Sequence, residues 1–314
     1  MNIHKKNLKN LTYFRAGPDQ VNYVRPLTVV ELTQTIKWFR DNNRKYKLIG
    51  KTTNLVFRDK ISVEFIVDMT GLDDIDIINN RVIVQSGRLV SDVCRDALML
   101  SLSGLEGLEG IPGTIGGALT MNAGAYSYFI SDYLKTVTVL DYDLRVKVLS
   151  KEECGFGSRS SILFNSKQVI LSAEFALRPR DRADIAAEMN RYHIARHKYQ
   201  EWSYPNVGSN FVLDDDIVNI LIKKESKLKR ILFSALKNLL YNKHMRRFFW
   251  AIPHKSYIND LVTRRLDIDL FRFSRKNINT IVNYDGDVAK ALESLNKMED
   301  ILGGQYKVET EIVE

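Results

Sequence analysis

An α+β fold is predicted by this sequence, on three observations. Short runs of strand-forming residues, broken by turn residues, recur from Lys45 to Val84 and again from Thr136 to Arg178. Between and after them stand segments whose apolar residues return every three or four positions, the spacing of helices buried on one face. Gly104 to Tyr126 holds seven of the chain's 17 glycines, interleaved with Ile111, Pro112, Ile115, Leu119 and Met121. Flexible spacers and disordered tracts do not carry that many apolar residues, so this stretch is structured turn. Mixed short strands and helices of this kind build α+β layers.

Taken in order, the first element is a helix near 28–41. Thr28-Val29-Val30-Glu31 is a capping box, and Leu32, Ile36 and Phe39 follow at helical spacing. Lys45–Ile49 and Asn54–Phe57 read as strands around a turn, Gly50-Lys51-Thr52-Thr53-Asn54, and Glu64–Asp68 as another strand. Asp74–Val84 reads as a hairpin turning at Asn79-Asn80, and Ser91 as the cap of a helix reaching about Met99. Thr136–Tyr142, Arg145–Leu149 and Val169–Arg178 are further strands. Asp181–Lys198 is a helix that runs from acidic to basic, and a last helix spans about Asp287 to Ile301.

A chain of 314 residues is long enough for two or three domains and a sizeable core. Its 45% hydrophobic and 27% charged content is that of an ordinary globular protein, and no apolar run reaches the length of a membrane span. Met1 to Lys9 is polar and basic with no apolar stretch behind it, so no secretory leader is expected. The two cysteines, Cys94 and Cys154, lie far apart and suit reduced, buried thiols in the cytoplasm. No metal site is expected: His193 and His197 stand one turn apart without a third ligand, and read as a solvated helix face. The net charge of +8 is local: residues 217–258 hold ten Lys/Arg and a single acid, Glu225. That distribution is no nucleic-acid footprint.

The glycine stretch asks for a ligand. Glycine admits backbone conformations with positive φ, brings the main chain close to a bound molecule, and leaves N–H groups bare to make a concavity for anionic or polar atoms. There is no G-x-G-x-x-G opening a helix and no phosphate-binding P-loop, so a Rossmann dehydrogenase or a nucleotide triphosphatase is not supported.

Gly110-Ile111-Pro112-Gly113-Thr114-Ile115-Gly116-Gly117-Ala118, followed by Met121-Asn122-Ala123-Gly124-Ala125-Tyr126, resembles the flavin-cradling segment of the UDP-N-acetylenolpyruvoylglucosamine reductases. These belong to the FAD-binding superfamily of vanillyl-alcohol-oxidase type. Phe14-Arg15-Ala16-Gly17-Pro18 and Val24-Arg25-Pro26-Leu27-Thr28 are similar to the family's opening. The Gly50–Asn54 turn is similar to its G-x-G-S-N turn, with Thr52 where the second glycine is expected. Glu153-Cys154-Gly155-Phe156-Gly157-Ser158-Arg159 resembles E-C-x-F-G-Y-R, with Ser158 in place of tyrosine. Tyr204–Phe211 resembles P-S-A-G-S-x-F, but the lysine and asparagine that usually follow are missing from Phe211-Val212-Leu213-Asp214. From Asp214 to about Arg275 the likeness fades, and it resumes at Asn277–Asn283 and at Val308-Glu309-Thr310-Glu311-Ile312, which resembles L-E-x-E-V.

The resemblance implies a two-subdomain FAD-binding module (1–69 and 70–195) with a C-terminal α+β substrate domain (196–314). It implies that Gly50, Lys51, Thr52, Thr53 and Asn54 contact FAD, as do Gly110, Ile111, Pro112, Gly113, Thr114, Gly116, Gly117, Asn122, Ala123 and Gly124. It implies that Arg159 faces the reacting enolpyruvyl group, that Ser209 protonates the substrate carbon, and that Glu311 is catalytic. NADPH would reduce the flavin, and a UDP-sugar would take up the hydride in peptidoglycan precursor synthesis. Two alternatives stand beside this: a paralogue acting on another sugar nucleotide, or a flavin-binding scaffold without activity. The basic stretch 217–258 has two functional readings besides a solvated face. It caps the substrate diphosphate, or its stripe of Leu228, Leu232, Ala235, Leu236 and Leu239 lies on an anionic membrane with Phe248, Phe249 and Trp250 as anchors.

Overall fold

The structure is a computed structural model in which residues 1–164, 166–241, 269, 272–304 and 306–314 are described. The anchors Phe248, Phe249 and Trp250, and the four cations from Lys243 to Lys255, lie outside the described residues.

The first sheet gathers β1 (His4–Lys6), β2 (Val21–Val24), β3 (Tyr46–Ile49) and β5 (Phe65–Asp68), in the order β1-β2-β5-β3. Strands β2, β5 and β3 run parallel and β1 antiparallel. Helix α1 (Val29–Asp41) makes one parallel crossover, and it starts where the capping box places it. Thr28 Oγ1 accepts from Glu31 N at 3.1 Å, and Glu31 Oε2 accepts from Leu27 N at 2.8 Å. The buried residues Leu32, Ile36 and Phe39 pack its inner face onto Val24, Phe65 and Val67. The short β4 (Leu55–Phe57) follows the Gly50–Asn54 turn and leaves this sheet.

The second sheet is antiparallel throughout, ordered β12-β11-β13-β7-β6. Its members are β6 (Ile75–Ile78), β7 (Arg81–Gln85), β11 (Leu134–Leu140), β12 (Val146–Ser150) and β13 (Val169–Ala176). The β6–β7 hairpin turns at Asn79, with φ at +57°, as its Asn-Asn pair predicts. Between β7 and β11 run α2 (Val90–Met99), β8 (Leu102–Ser103), α3 (Ile115–Thr120), β9 (Gly124–Ala125) and β10 (Tyr128–Phe129). After β13 come β14 (Arg178–Pro179) and α4 (Arg182–Tyr199), capped by Asp181. Ser91 does not cap α2: the helix begins one residue earlier and makes no side-chain cap bond. The glycine stretch takes over that end, since Val90 N donates to Gly113 O at 3.1 Å and Ile115 N to Arg88 O at 2.9 Å.

The C-terminal part comprises β15 (Phe211–Val212), α5 (Ile217–Lys223), α6 (Lys227–Tyr241), α7 (Val288–Leu302), β16 (Lys307–Val308) and β17 (Glu311–Val313). Its core of Ile220, Leu221, Leu292, Leu295 and Met298 also takes in Phe14, Ala16 and Val56 from the first part. Strand β17 pairs in parallel with β4, Glu311 opposite Leu55, so the end of the chain returns to the first glycine turn. Leu228 and Leu232 of the α6 stripe are 80% and 64% exposed, and the neighbouring Ile231 is 60% exposed. Phe233, off that stripe, reaches the hydrophobic core. Cys94 and Cys154 are buried free thiols, as expected. Among the described residues no helix is long and apolar enough to cross a membrane.

Candidate active site

A cavity of about 820 Å³ opens where the two sheets and the C-terminal part meet. Both glycine turns line it: Gly50 to Asn54 from the β3–β4 connection, and Ile111 to Gly124 from the segment around α3. The turns touch each other, with Thr53 Oγ1 donating to Pro112 O at 2.9 Å.

Within these turns the residues divide by task. Gly116 packs: its N–H donates to Ser86 O at 2.8 Å, and a Cβ there would lie 3.0 Å from Ser86 Cβ. Thr114 caps α3 and faces Gly50. The backbone amides of Thr53, Asn54, Gly113 and Thr114 donate to no acceptor among the described residues, and all four residues line the cavity. A cluster of bare amides beside the Lys51 side chain is the donor set a diphosphate requires. Ser86 adds a buried hydroxyl with no hydrogen-bond partner among the described residues, on the cavity wall. Thr52, standing where glycine is expected, still takes the left-handed conformation with φ at +56°. Its hydroxyl compensates, accepting from Tyr13 N at 2.8 Å and donating to Lys51 O at 2.7 Å.

Gly110 and Asn122 stand apart from the cavity lining. Gly110 has φ at +80° and backs onto Arg196, whose Nε donates to Glu109 O at 2.8 Å. Arg196 also donates to Gly107 O and lies over the Tyr126 ring, so this buried guanidinium clamps the first third of the glycine stretch. Burial lowers its pKa. Asn122 is a strut: its Nδ2 donates to Gly157 O at 2.9 Å and so ties the second glycine turn to the turn bearing Arg159. His193 sits 3.4 Å from Glu109, and His197 stacks on Trp202. The described residues hold no cluster able to bind a metal.

Arg159, Ser209 and Glu311 arrive from three distant parts of the chain and line the same cavity. Arg159 sits at φ +49° on the turn after β12. Ser209 Oγ accepts from Asn277 Nδ2 at 3.5 Å. Asn210, fully buried, fixes that turn: its Nδ2 donates to Asn279 O at 3.0 Å, and its carbonyl accepts from Glu309 N at 2.8 Å. Glu311 is ion-paired with Lys47 of β3.

Two of these partners escape a reading of motifs. Lys47 is an unremarked strand residue until the fold brings β3 against the end of the chain. Glu309 lies 3.2 Å from Arg159 Nε, its side chain only 15% exposed. Burial raises its pKa, against the opposing charges of Arg159 and Lys307. Glu309 and Glu311 both line the cavity, and their i, i+2 spacing, read as strand alternation, could have flagged both.

Two glycine turns, bare amides and an apolar cleft between layered sheets define a flavin-nucleotide fold, and the profile of the FAD-binding domain family matches residues 22–150. The fold is α+β of vanillyl-alcohol-oxidase type, and its cofactor is FAD. A solved UDP-N-acetylenolpyruvylglucosamine reductase from Thermus caldophilus superposes with a TM-score of 0.72 at 22% identity, over 100% of both chains. The UDP-N-acetylenolpyruvoylglucosamine reductase of Clostridium novyi (strain NT) is 35% identical over 222 residues, 71% of this chain and 72% of that one. The enzyme of that name from Listeria innocua serovar 6a is 36% identical over 204 residues, 65% of this chain and 68% of its own. This chain belongs to the UDP-N-acetylenolpyruvoylglucosamine reductase family.

Proposed function

We propose that this chain is an FAD-dependent, NADPH-driven oxidoreductase. It reduces the enolpyruvyl group of UDP-N-acetylenolpyruvoylglucosamine to give UDP-N-acetylmuramate, in the cytoplasmic synthesis of peptidoglycan precursors. One observation carries this reading: Arg159, Ser209 and Glu311 share a single cavity with both glycine turns. A flavin-binding scaffold would have no use for that convergence. The division into 1–69, 70–195 and 196–314 goes with it, since the two sheets fall in the first two segments and α5 to α7 in the third.

FAD, when bound, supplies the hydride for the terminal carbon of the enolpyruvyl double bond. The bare amides of Thr53, Asn54, Gly113 and Thr114 would hold its diphosphate. Arg159 meets the substrate carboxylate and offsets the negative charge that grows there as the double bond is reduced. Ser209 gives a proton to the neighbouring carbon, positioned by Asn277 and by the buried Asn210 anchor. Glu311, held by Lys47, lies on the same wall and completes the charged surround. The test is steady-state NADPH oxidation by the FAD-loaded protein. Oxidation should depend on the enolpyruvyl sugar nucleotide; a rate unchanged by its addition would count against the assignment.

The basic segment 217–258 also contacts an anionic surface in this reading. The exposed Leu228, Ile231 and Leu232 on α6 support it, with Lys227, Lys229 and Arg230 interleaved. Sedimentation with vesicles of rising anionic-lipid content tests this, and binding that ignores lipid charge would exclude it.

A further inference from the structure

The mechanism above leaves Glu309 unused, although it is the carboxylate nearest to Arg159. Its Oε1 lies 3.2 Å from Arg159 Nε, and the paired Nη groups are the fork that fits a carboxylate. The main chain of Glu309 is held on both sides. Its own backbone N–H donates to Asn210 O at 2.8 Å, and Asn54 Nδ2 donates to its carbonyl oxygen at 2.7 Å. Those anchors belong to the Ser209 turn and to the first glycine turn. The residue that carries this largely buried carboxylate is therefore tied through its backbone to two turns of the site.

We propose that Glu309 is a positioning residue, which orients Arg159 through Nε and takes up one proton when the substrate carboxylate comes onto the same guanidinium. This rests on the function proposed above, because it needs a substrate that carries a carboxylate to Arg159. Two anions sharing one cation in a largely desolvated cavity repel each other, and the cheapest relief is for one to accept a proton. The substrate carboxylate is activated by being the ionised partner, so Glu309 is the group that takes the proton, drawn from solvent.

The surrounding charges agree with this assignment. Lys307 lies on β16, paired with Val212 of β15, and its Nζ donates to Arg159 O at 3.5 Å. Lys47 and Glu311 cancel as an ion pair on the neighbouring wall. From the first glycine turn Lys51 enters the cavity, and from the 201–210 segment Glu201 does. Glu201 is engaged by the hydroxyl of Ser274 at 2.8 Å. Burial raises the Glu309 pKa, the direction that favours proton uptake.

Proton inventory by titration calorimetry tests this directly. Oxidised, FAD-loaded protein is titrated with UDP-N-acetylenolpyruvoylglucosamine in buffers of different ionisation enthalpy, from about pH 5 to about pH 9. The wild type should take up close to one proton per substrate above the Glu309 pKa, and its Kd should rise there by up to about tenfold per pH unit. Glu309→Gln should bind without uptake and with a flat pH profile, while keeping its flavin spectrum. Uptake that persists in Glu309→Gln overturns the proposal. So does wild-type binding without uptake, a result that needs no variant to be folded. A wild type that binds no sugar nucleotide overturns the proposed function instead, and this inference with it.

Discussion

Gly50 and Thr114 are packed so closely that a Cβ on Gly50 would lie 2.4 Å from Thr114 Oγ1. The two residues belong to different glycine turns, and their contact sets the width of the cleft between the layers. Gly50→Ala should push the turns apart, lowering stability by about 1–3 kcal/mol and weakening FAD binding. Thr114→Ala alone should cost about 1 kcal/mol through the lost cap of α3. In the double variant the clash is relieved, so the two losses should fall short of their sum. Denaturant melts with FAD titration check this; strict additivity would mean that the turns do not meet as described.

Thr52 is a β-branched residue at φ +56°, a conformation that costs roughly 1–2 kcal/mol without compensation. Its hydroxyl supplies the compensation through Tyr13 N and Lys51 O. Thr52→Val keeps the strain and strips the part-buried Tyr13 amide of its acceptor, so a loss of about 1–2 kcal/mol is expected. Thr52→Gly loses the same bonds but relieves the strain, and should lie within about 1 kcal/mol of wild type. Equilibrium unfolding of the two variants separates hydrogen bond from backbone conformation.

Much of this was legible in the sequence because it is local. The capping box of α1, the Asn79-Asn80 turn and the glycine turns are each written in a few neighbouring residues. What escaped depends on contacts between distant segments. Whether Glu309 or Glu311 meets Arg159 is decided by the pairing of β17 with β4 and by the Asn122 strut under Gly157. Ser91 looked like a cap because nothing nearby shows that Gly113 and Ile115 occupy that helix end. Which α6 residue enters the core was not legible for a similar reason: α5 packs against α6, and Phe233, off the stripe, is buried there. Gly110 and Asn122 sit inside the flavin motif yet lie outside the cavity lining, since motif membership does not reveal which way a residue faces.

Acid should unfold the C-terminal part in a way traceable to one pair. Arg272, 1% exposed, holds Asp285 in a two-pronged contact at 2.6 and 2.9 Å, and this hydrogen-bonded guanidinium lowers the Asp285 pKa to about 2. A depressed carboxylate contributes stability that is complete above its unfolded pKa near 3.8 and is lost as pH falls toward 2. Asp285→Asn should lower Tm at neutral pH, because buried Arg272 loses its main anion, and should flatten the decline between about pH 4 and pH 2. Thermal melts across that range give the comparison; parallel curves would exclude the pair as the source.

Ser209→Ala should separate the two halves of catalysis. Bleaching of the flavin by NADPH needs no proton from Ser209 and should proceed at close to the wild-type rate. Return of flavin absorbance on adding the enolpyruvyl sugar should slow by roughly 10²–10⁴-fold, the worth of a positioned proton donor. Glu311→Gln should slow the same half by about 10²-fold or more, through lost electrostatic stabilisation. Stopped-flow absorbance resolves both. An unchanged second half in Ser209→Ala would mean that Ser209 is a turn residue and no acid.

The central claim is that this cavity passes hydride to an enolpyruvyl UDP-sugar, and a single anaerobic turnover tests it most directly. The FAD-loaded protein is bleached with one equivalent of NADPH, mixed with UDP-N-acetylenolpyruvoylglucosamine in the absence of oxygen, and followed by flavin absorbance and mass spectrometry. Recovery of the absorbance, with one equivalent of UDP-N-acetylmuramate formed, is the result expected. Flavin that stays bleached while the sugar nucleotide is recovered unchanged would contradict the account.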